Sequence, residues 1–317
     1  MSERPHVSVL LAEVVEALAP RPGGRYVDLT LGAGGHAEAV LEASSPDGLL
    51  LGFDRDPVAR ALASERLARF GARFEAVPAR FALVAEELEA RGWAGRVDGL
   101  VLDAGVSSMQ FDTPERGFSF RYDAPLDMRM GDDGPTAAEL LDRWDERQLT
   151  DVLRRLGEVQ KARLVARRMV EARRAGALAT TGQLADLCAD VLRGPPGRPQ
   201  RIHPATQVFQ ALRMAVNDEL GELERALAAI PALLAPGGVA AVISFHSLED
   251  RMVKRAFRAA SVSALPRGLP VRASELVMDF ETLADVTPAD DEVAVNPRSR
   301  SARLRLLRRR AAQEAGA

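Results

Sequence analysis

Between Gly24 and about Val101 the chain alternates short apolar, β-rich runs with longer stretches whose apolar residues recur at helical spacing. Residues 26–29, 49–53, 73–77 and 97–102 read as strands one to four. Their near-continuous apolar character is that of strands covered on both faces. Residues 37–43, 57–70 and 82–91 lie between them with helical spacing. The pattern predicts β-α-β-α-β-α-β, an α/β fold with an open, doubly wound parallel sheet.

The rhythm stops after Asp103. Residues 107–135 are rich in Gly, Pro, Asp and Met and have no period, which marks a loop-rich functional segment with no clear helix. Helical patterns follow: Thr136 and Glu139 have capping-box spacing, and residues 145–156, 158–174 and 183–192 read as helices. Residues 193–199 are a Gly/Pro break. Val208, Leu212, Val216, Leu220, Leu223, Leu227 and Ile230 then mark one face of a long helix, ended by Pro236-Gly237-Gly238. Residues 239–245 form a fifth strand, Ser247 and Asp250 have capping-box spacing for the next helix, and residues 301–307 alternate as an edge strand does. The organisation expected is a sheet domain of residues 1–110 and 214–317, with a helical domain of residues 111–213 inserted in it.

With 317 residues and 47% hydrophobic content the chain has enough apolar material for two cores. No window reaches the run of about 18 apolar residues that a membrane span needs, and no basic-then-apolar leader opens the chain. A soluble cytoplasmic protein is expected. Cys188 stands alone, so neither an internal disulfide nor a thiolate zinc site is expected, and no metal is assigned. A net charge of -3 excludes a uniformly basic coat, yet arginines bunch at residues 167–174 and 298–310, and the second cluster reads as phosphate-binding.

The strongest local signal is Asp28-Leu-Thr-Leu-Gly-Ala-Gly-Gly-His36, a strand running into a glycine turn that opens a helix. Glycines let a ligand approach the backbone, and the helix start offers N–H groups to a carboxylate or phosphate. Gly32, Gly34 and Ala37 also satisfy the looser G-x-G-x-x-A dinucleotide pattern, which leaves a nicotinamide enzyme open. Asp54 ends strand two about 20 residues on, where an acid accepts both hydroxyls of an adenosine ribose. Asp56, before Pro57, reads instead as a helix cap. Phe81 follows strand three, where a flat apolar ring covers adenine or simply joins the core. Asp103 ends strand four, facing the sheet's ligand crevice, where a carboxylate suits the amino group and sulfonium of S-adenosylmethionine better than a nicotinamide ring.

Beyond this point the motifs carry a resemblance. The strings Asp28–His36, Asp103-Ala-Gly-Val-Ser-Ser-Met-Gln110, Glu115-Arg-Gly-Phe-Ser-Phe120, Leu126-Asp-Met-Arg-Met130, Arg201-Ile-His-Pro-Ala-Thr206, Phe209-Gln-Ala-Leu-Arg213, Ile243-Ser-Phe-His-Ser-Leu-Glu-Asp-Arg251 and Asn296-Pro-Arg-Ser-Arg-Ser301 resemble, in order and over nearly the whole chain, the ribosomal RNA small subunit methyltransferase H family. The resemblance implies a Rossmann-like class I methyltransferase sheet with an inserted all-α domain that recognises RNA. It also implies S-adenosylmethionine-dependent methylation of N4 of a cytidine in the decoding centre of 16S ribosomal RNA, on the small subunit. Carried over by motif, the cofactor contacts are Gly34, Gly35, His36, Asp54, Phe81, Asp103 and Gln110. Ala104 departs from the larger apolar residue expected there.

Methyl transfer from a sulfonium is an in-line displacement and needs alignment and water exclusion, not a covalent nucleophile. The cytosine amine is a weak nucleophile, so a hydrogen-bond acceptor on one N–H helps. Asp103, Ser107 and His246 are the candidates, with a capping role equally open for His246. Phe118, Phe120, Met128 and Met130 either line a pocket for a flipped base or anchor their loop. A ribosome-assembly factor that binds RNA without turnover is the alternative outside enzymes; monomer and homodimer both stay open.

Overall fold

The structure, a computed structural model, describes residues 8–105, 108–193, 203–262 and 279–311; Ser107 and residues 194–202 of the Gly/Pro break and the Arg201 motif lie outside them. The chain divides into two compact units, Met1–Gly105 with Gly221–Ala317, and Val106–Leu220. The divisions at 105 and 220 compare with 110 and 213 expected from the sequence.

The first unit opens with α1 (Leu11–Leu18), β1 (Arg25–Asp28), α2 (Gly35–Ala43), β2 (Leu49–Phe53), α3 (Pro57–Leu67), β3 (Phe74–Val77), α4 (Val84–Ala90) and β4 (Val97–Ala104). In the second unit follow α5 (Ser108–Asp112), α6 (Ala137–Arg143), α7 (Glu146–Gly157), α8 (Ala162–Arg174), α9 (Thr181–Leu192) and α10 (Ala205–Val216). The chain ends with α11 (Glu219–Leu233), β5 (Leu234–Ser244), α12 (Ser247–Ala260), β6 (Phe280–Thr282), α13 (Asp290–Val295) and β7 (Arg303–Arg309). Among the described residues no helix is long and apolar enough to cross a membrane.

The sheet has the order β3-β2-β1-β4-β5-β7-β6. β1 to β5 are parallel, and β7 runs antiparallel to both of its neighbours. Alternate residues feed two apolar layers, which is why the strands read as continuous apolar runs. Val27, Leu51, Leu100, Leu102 and Val242 pack with α4, α11 and α12, whereas Tyr26, Leu50, Val101, Ala241 and Ile243 pack with α1, α2 and α3. This is a doubly wound, Rossmann-like sheet. The second unit is all-α about a core that includes Leu149, Leu153, Val165, Met169, Leu184 and Leu212. Cys188 is buried there, and burial pushes its thiol up to about 12, so it is inert packing.

Four expectations are corrected. The long helix is two, α10 and α11, because Asp218 takes a left-handed φ of 49°. Its single stripe serves two cores: Val208 and Leu212 join the helical one, Leu223, Leu227 and Ile230 the sheet. β7 is not an edge strand, since β6 covers its outer side. The helix expected from residue 158 starts at Ala162, because Glu158 and Lys161 are left-handed (φ 49° and 55°). The segment after Asp103 opens with a short helix, α5.

Candidate functional site

In a sheet ordered 3-2-1-4-5 the connections leave β1 and β4 in opposite directions, so the crevice at their carboxyl ends is the ligand position. Three neighbouring strands end there in an aspartate. Asp28 closes β1, Asp54 follows β2, and Asp103 is the penultimate residue of β4.

After Asp28 the backbone crosses to α2 through Gly32 (φ 50°) and Gly34 (φ 80°), values that suit glycine. Gly34 forms the left-handed cap of α2 without any side-chain capping bond, so the helix start relies on its backbone N–H groups. A Cβ at Gly34 would meet Leu67 Cδ1 at 3.2 Å, and one at Gly35 would meet Ser8 Oγ at 2.1 Å. Close packing thus bears on both glycines, and the turn on Gly34 as well. His36 is buried, and its Nε2 lies 3.0 Å from the Val9 carbonyl, tying α2 to the segment before α1.

Asp54 braces the same turn. Its Oδ2 accepts the Gly32 N–H at 2.9 Å and its Oδ1 the Asp56 N–H at 2.9 Å. Each oxygen retains lone-pair capacity, which is what two vicinal hydroxyls require. Burial raises its pKa against the pull of those two N–H groups. Asp56 accepts from Val58 N and caps α3.

Asp28 was not singled out in the sequence, although it ends its strand as Asp54 and Asp103 end theirs. It is 2% exposed; Oδ1 accepts the Thr30 N–H at 3.0 Å, while Oδ2 has no hydrogen-bond partner among the described residues. Burial, then the Asp54 charge, push its carboxyl up to about 7 against the Thr30 bond. Thr30 also accepts the Asp103 N–H at 2.7 Å, joining β1 to β4. Asp103 Oδ1 is likewise buried without a partner among the described residues, and burial, Asp28 and Glu249 push this carboxyl up to about 7. A cation beside these two acids would favour their ionised forms.

Phe81 opens a short 3-10 turn and packs partly buried against the α4–α11 layer. Below it Glu222, 4% exposed, accepts the Ala82 N–H at 3.2 Å and lies 3.5 Å from Arg80. His246 is the N-cap of α12, where the sequence points to Ser247. Its Nδ1 faces the Glu249 N–H at 3.5 Å; Nε2 is 2.8 Å from Glu249 Oε1, within ion-pair range but off the line of a hydrogen bond. Glu249 Oε2 in turn accepts the Phe245 N–H at 2.9 Å. The capping box therefore falls one residue early because an imidazole nitrogen replaces the usual hydroxyl.

Gln110 belongs to the helical unit. It is 7% exposed and its amide reaches the Met130 carbonyl at 3.4 Å. Asn217, also unremarked in the sequence, receives Met130 N–H at 2.8 Å and donates to the Met128 carbonyl at 2.7 Å. Met128 is fully buried and Phe120 meets Phe209 edge to face with ring centroids 5.0 Å apart, so both anchor their loop.

Chemically, the first unit offers a glycine turn with open helix N–H groups, a braced acid for hydroxyls, and two buried acids with unmatched oxygens. That donor set fits an amino-acid sulfonium joined to adenosine. The orphaned oxygens of Asp28 and Asp103 match its cationic groups, and the uncapped α2 start matches its carboxylate. The model of the MraW methylase family matches residues 3–310. The protein named Ribosomal RNA small subunit methyltransferase H from Geobacter sulfurreducens is 52% identical over 305 residues, covering 95% of this chain and 97% of that protein. The protein of that name from Geotalea uraniireducens is 49% identical over 312 residues (96% and 98%), and the one from Methylorubrum populi 51% over 304 residues (95% and 86%). With the fold, the site and the match over nearly its whole length in agreement, the chain belongs to the MraW methylase family and uses S-adenosyl-L-methionine as its cofactor.

Proposed function

We propose that this chain is a cytoplasmic ribosomal RNA (cytosine-N4)-methyltransferase, acting on a cytidine in the decoding centre of 16S ribosomal RNA within the small subunit. The observation that carries the reading is the pair of buried acids, Asp28 and Asp103, with oxygens left unmatched at the β1/β4 crevice of a methylase. The relatives' names support the RNA substrate, and the family resemblance of the motifs supports N4 of cytidine.

When bound, S-adenosylmethionine supplies an electrophilic methyl group. Asp54 would hold the ribose hydroxyls, Gly34, Gly35 and His36 would form the turn that receives the amino-acid end, and Phe81 would cover the adenine. Gln110 joins these contacts by motif. Asp103 faces the amino group, and with Ser107 and His246 it is a candidate to accept the amine hydrogen. Methylation of the amine would require one proton to leave its nitrogen, and an acceptor on that N–H would keep the lone pair available. The inserted helical unit recognises the RNA.

Tritiated methyl transfer to small subunits and to naked 16S RNA, followed by nucleoside analysis, tests this. Label in N4-methylcytidine, favouring subunits, is expected. Label in another nucleoside overturns the target; cofactor and RNA binding without transfer turns the reading into a non-catalytic assembly factor.

A further inference from the structure

Of the C-terminal arginine cluster, Arg298, Arg300 and Arg303 are exposed, whereas the arginines from 305 to 310 are engaged within the fold. In the C-terminal cluster, Arg305 is 6% exposed and pairs with Asp250 (2.7 Å) and Asp285 (2.6 Å). Arg308 and Arg310 both reach Glu281, and Arg309 donates to the Leu234 carbonyl at 2.7 Å. These arginines hold β7 to its neighbours and have little left for phosphate.

On α12 the charges sort the other way. Arg251, Lys254, Arg255 and Arg258 are all exposed and follow the i, i+3, i+4, i+7 spacing of one helix face. None of the four has an ion pair or hydrogen bond among the described residues. The two acids of the helix are spent elsewhere: Glu249 is buried in the cap, and Asp250 pairs with Arg305. Val253 and Phe257 fill the inner face. Four like charges within two turns repel one another. The face runs about 10 Å along the axis, and Arg251 follows His246, at the carboxyl edge of the sheet, by about 7.5 Å of helix rise.

We propose that this face of α12 is a phosphate-binding surface for the RNA substrate, laying the strand beside the carboxyl edge of the sheet where the methyl donor binds. The proposal rests on the reading of RNA as substrate. Unpaired cations of one sign on a chain whose net charge is -3 select a polyanion, and they recognise its charge rather than its bases.

The test uses the full chain carrying R251Q, K254Q, R255Q and R258Q together, since glutamine keeps helix propensity while removing charge. Binding to small subunits and to a single-stranded 16S RNA fragment is measured across a salt series. Each lost phosphate contact should flatten the log–log salt slope by about 0.7 for single-stranded RNA, so a fall of about 2 to 3 is expected, with at least about tenfold weaker binding at low salt. Cofactor affinity and circular dichroism should not change, and R251K, R255K and R258K together should restore RNA binding. An unaltered slope with wild-type methyl transfer intact overturns the α12 surface and spares the substrate assignment. Wild-type protein that neither binds RNA nor methylates subunits overturns the assignment itself. Wild-type preference for phosphatidylglycerol vesicles over RNA, lost in the glutamine variant, overturns RNA as the occupant.

Discussion

Asp28 is fully enclosed and its carboxyl is pushed up to about 7, as is that of Asp103, while Asp54 and Glu249 face the pair with further negative charge. The folded protein therefore keeps protons near neutrality that an unfolded aspartate gives up near pH 4. The contribution to stability is complete below that range, falls as pH rises towards 7, and is gone above it. Melting of the cofactor-free protein should drop between about pH 4 and pH 7. Asp28→Asn, which cannot ionise, should flatten that drop and raise the midpoint at pH 8; an equally steep profile in the variant would remove Asp28 as its source. Asp103 poses a different question, because the proposed mechanism sets it against both the cofactor and the amine. If it only holds the cofactor, Asp103→Asn should weaken binding in calorimetry and leave the single-turnover rate at saturating S-adenosylmethionine intact. If it also accepts the amine hydrogen, that rate should fall on the order of 10²-fold. The second is expected, since the loop after Asp103 lacks an Asp-Pro-Pro-Tyr arrangement to do so instead.

At the scale of elements, α12 shows why a helix start is hard to read from spacing alone. Ser247 and Asp250 match the capping pattern, but His246 and Glu249 make the cap, and the same glutamate fastens Phe245 at the end of β5. A histidine in that position invites a catalytic reading, and its engagement by Glu249 supplies a structural one. His246→Asn separates them, because asparagine is a strong N-cap but a negligible proton acceptor. If capping is the role, stability and transfer rate should both stay near wild type. If the imidazole accepts a proton, single-turnover transfer should fall about 10²-fold while thermal denaturation is unchanged. Asp28 was equally readable in principle. Like Asp54 and Asp103 it is an acid at a strand's carboxyl end, beside a glycine turn that is the stronger local signal.

For the whole molecule, the parallel strands and their crossover helices were legible because both faces of the sheet are covered and each strand is apolar throughout. The break between α10 and α11 was not, since one periodic stripe passes without interruption from the helical core into the sheet core. Nor was the position of β7: its alternation resembles an edge, but Arg305 on the polar phase is buried in ion pairs, a long-range fact that no local pattern records. The position has a consequence for truncation. Cutting after Ala294 removes a strand bonded on both sides, together with buried Ala302, Leu304, Leu306 and Leu307. Losing one buried leucine costs about 2–5 kcal/mol, and three exceed much of the roughly 5–15 kcal/mol that stabilises a domain. The truncated chain should lose its cooperative transition and its cofactor binding, not merely its affinity for RNA. Leu304→Ala in the full chain is the milder form: it should lower stability by about 2–5 kcal/mol in denaturant titration and leave the salt slope of RNA binding unaltered. A truncated protein that melts and binds cofactor as wild type would show that β5 can serve as the edge of this sheet.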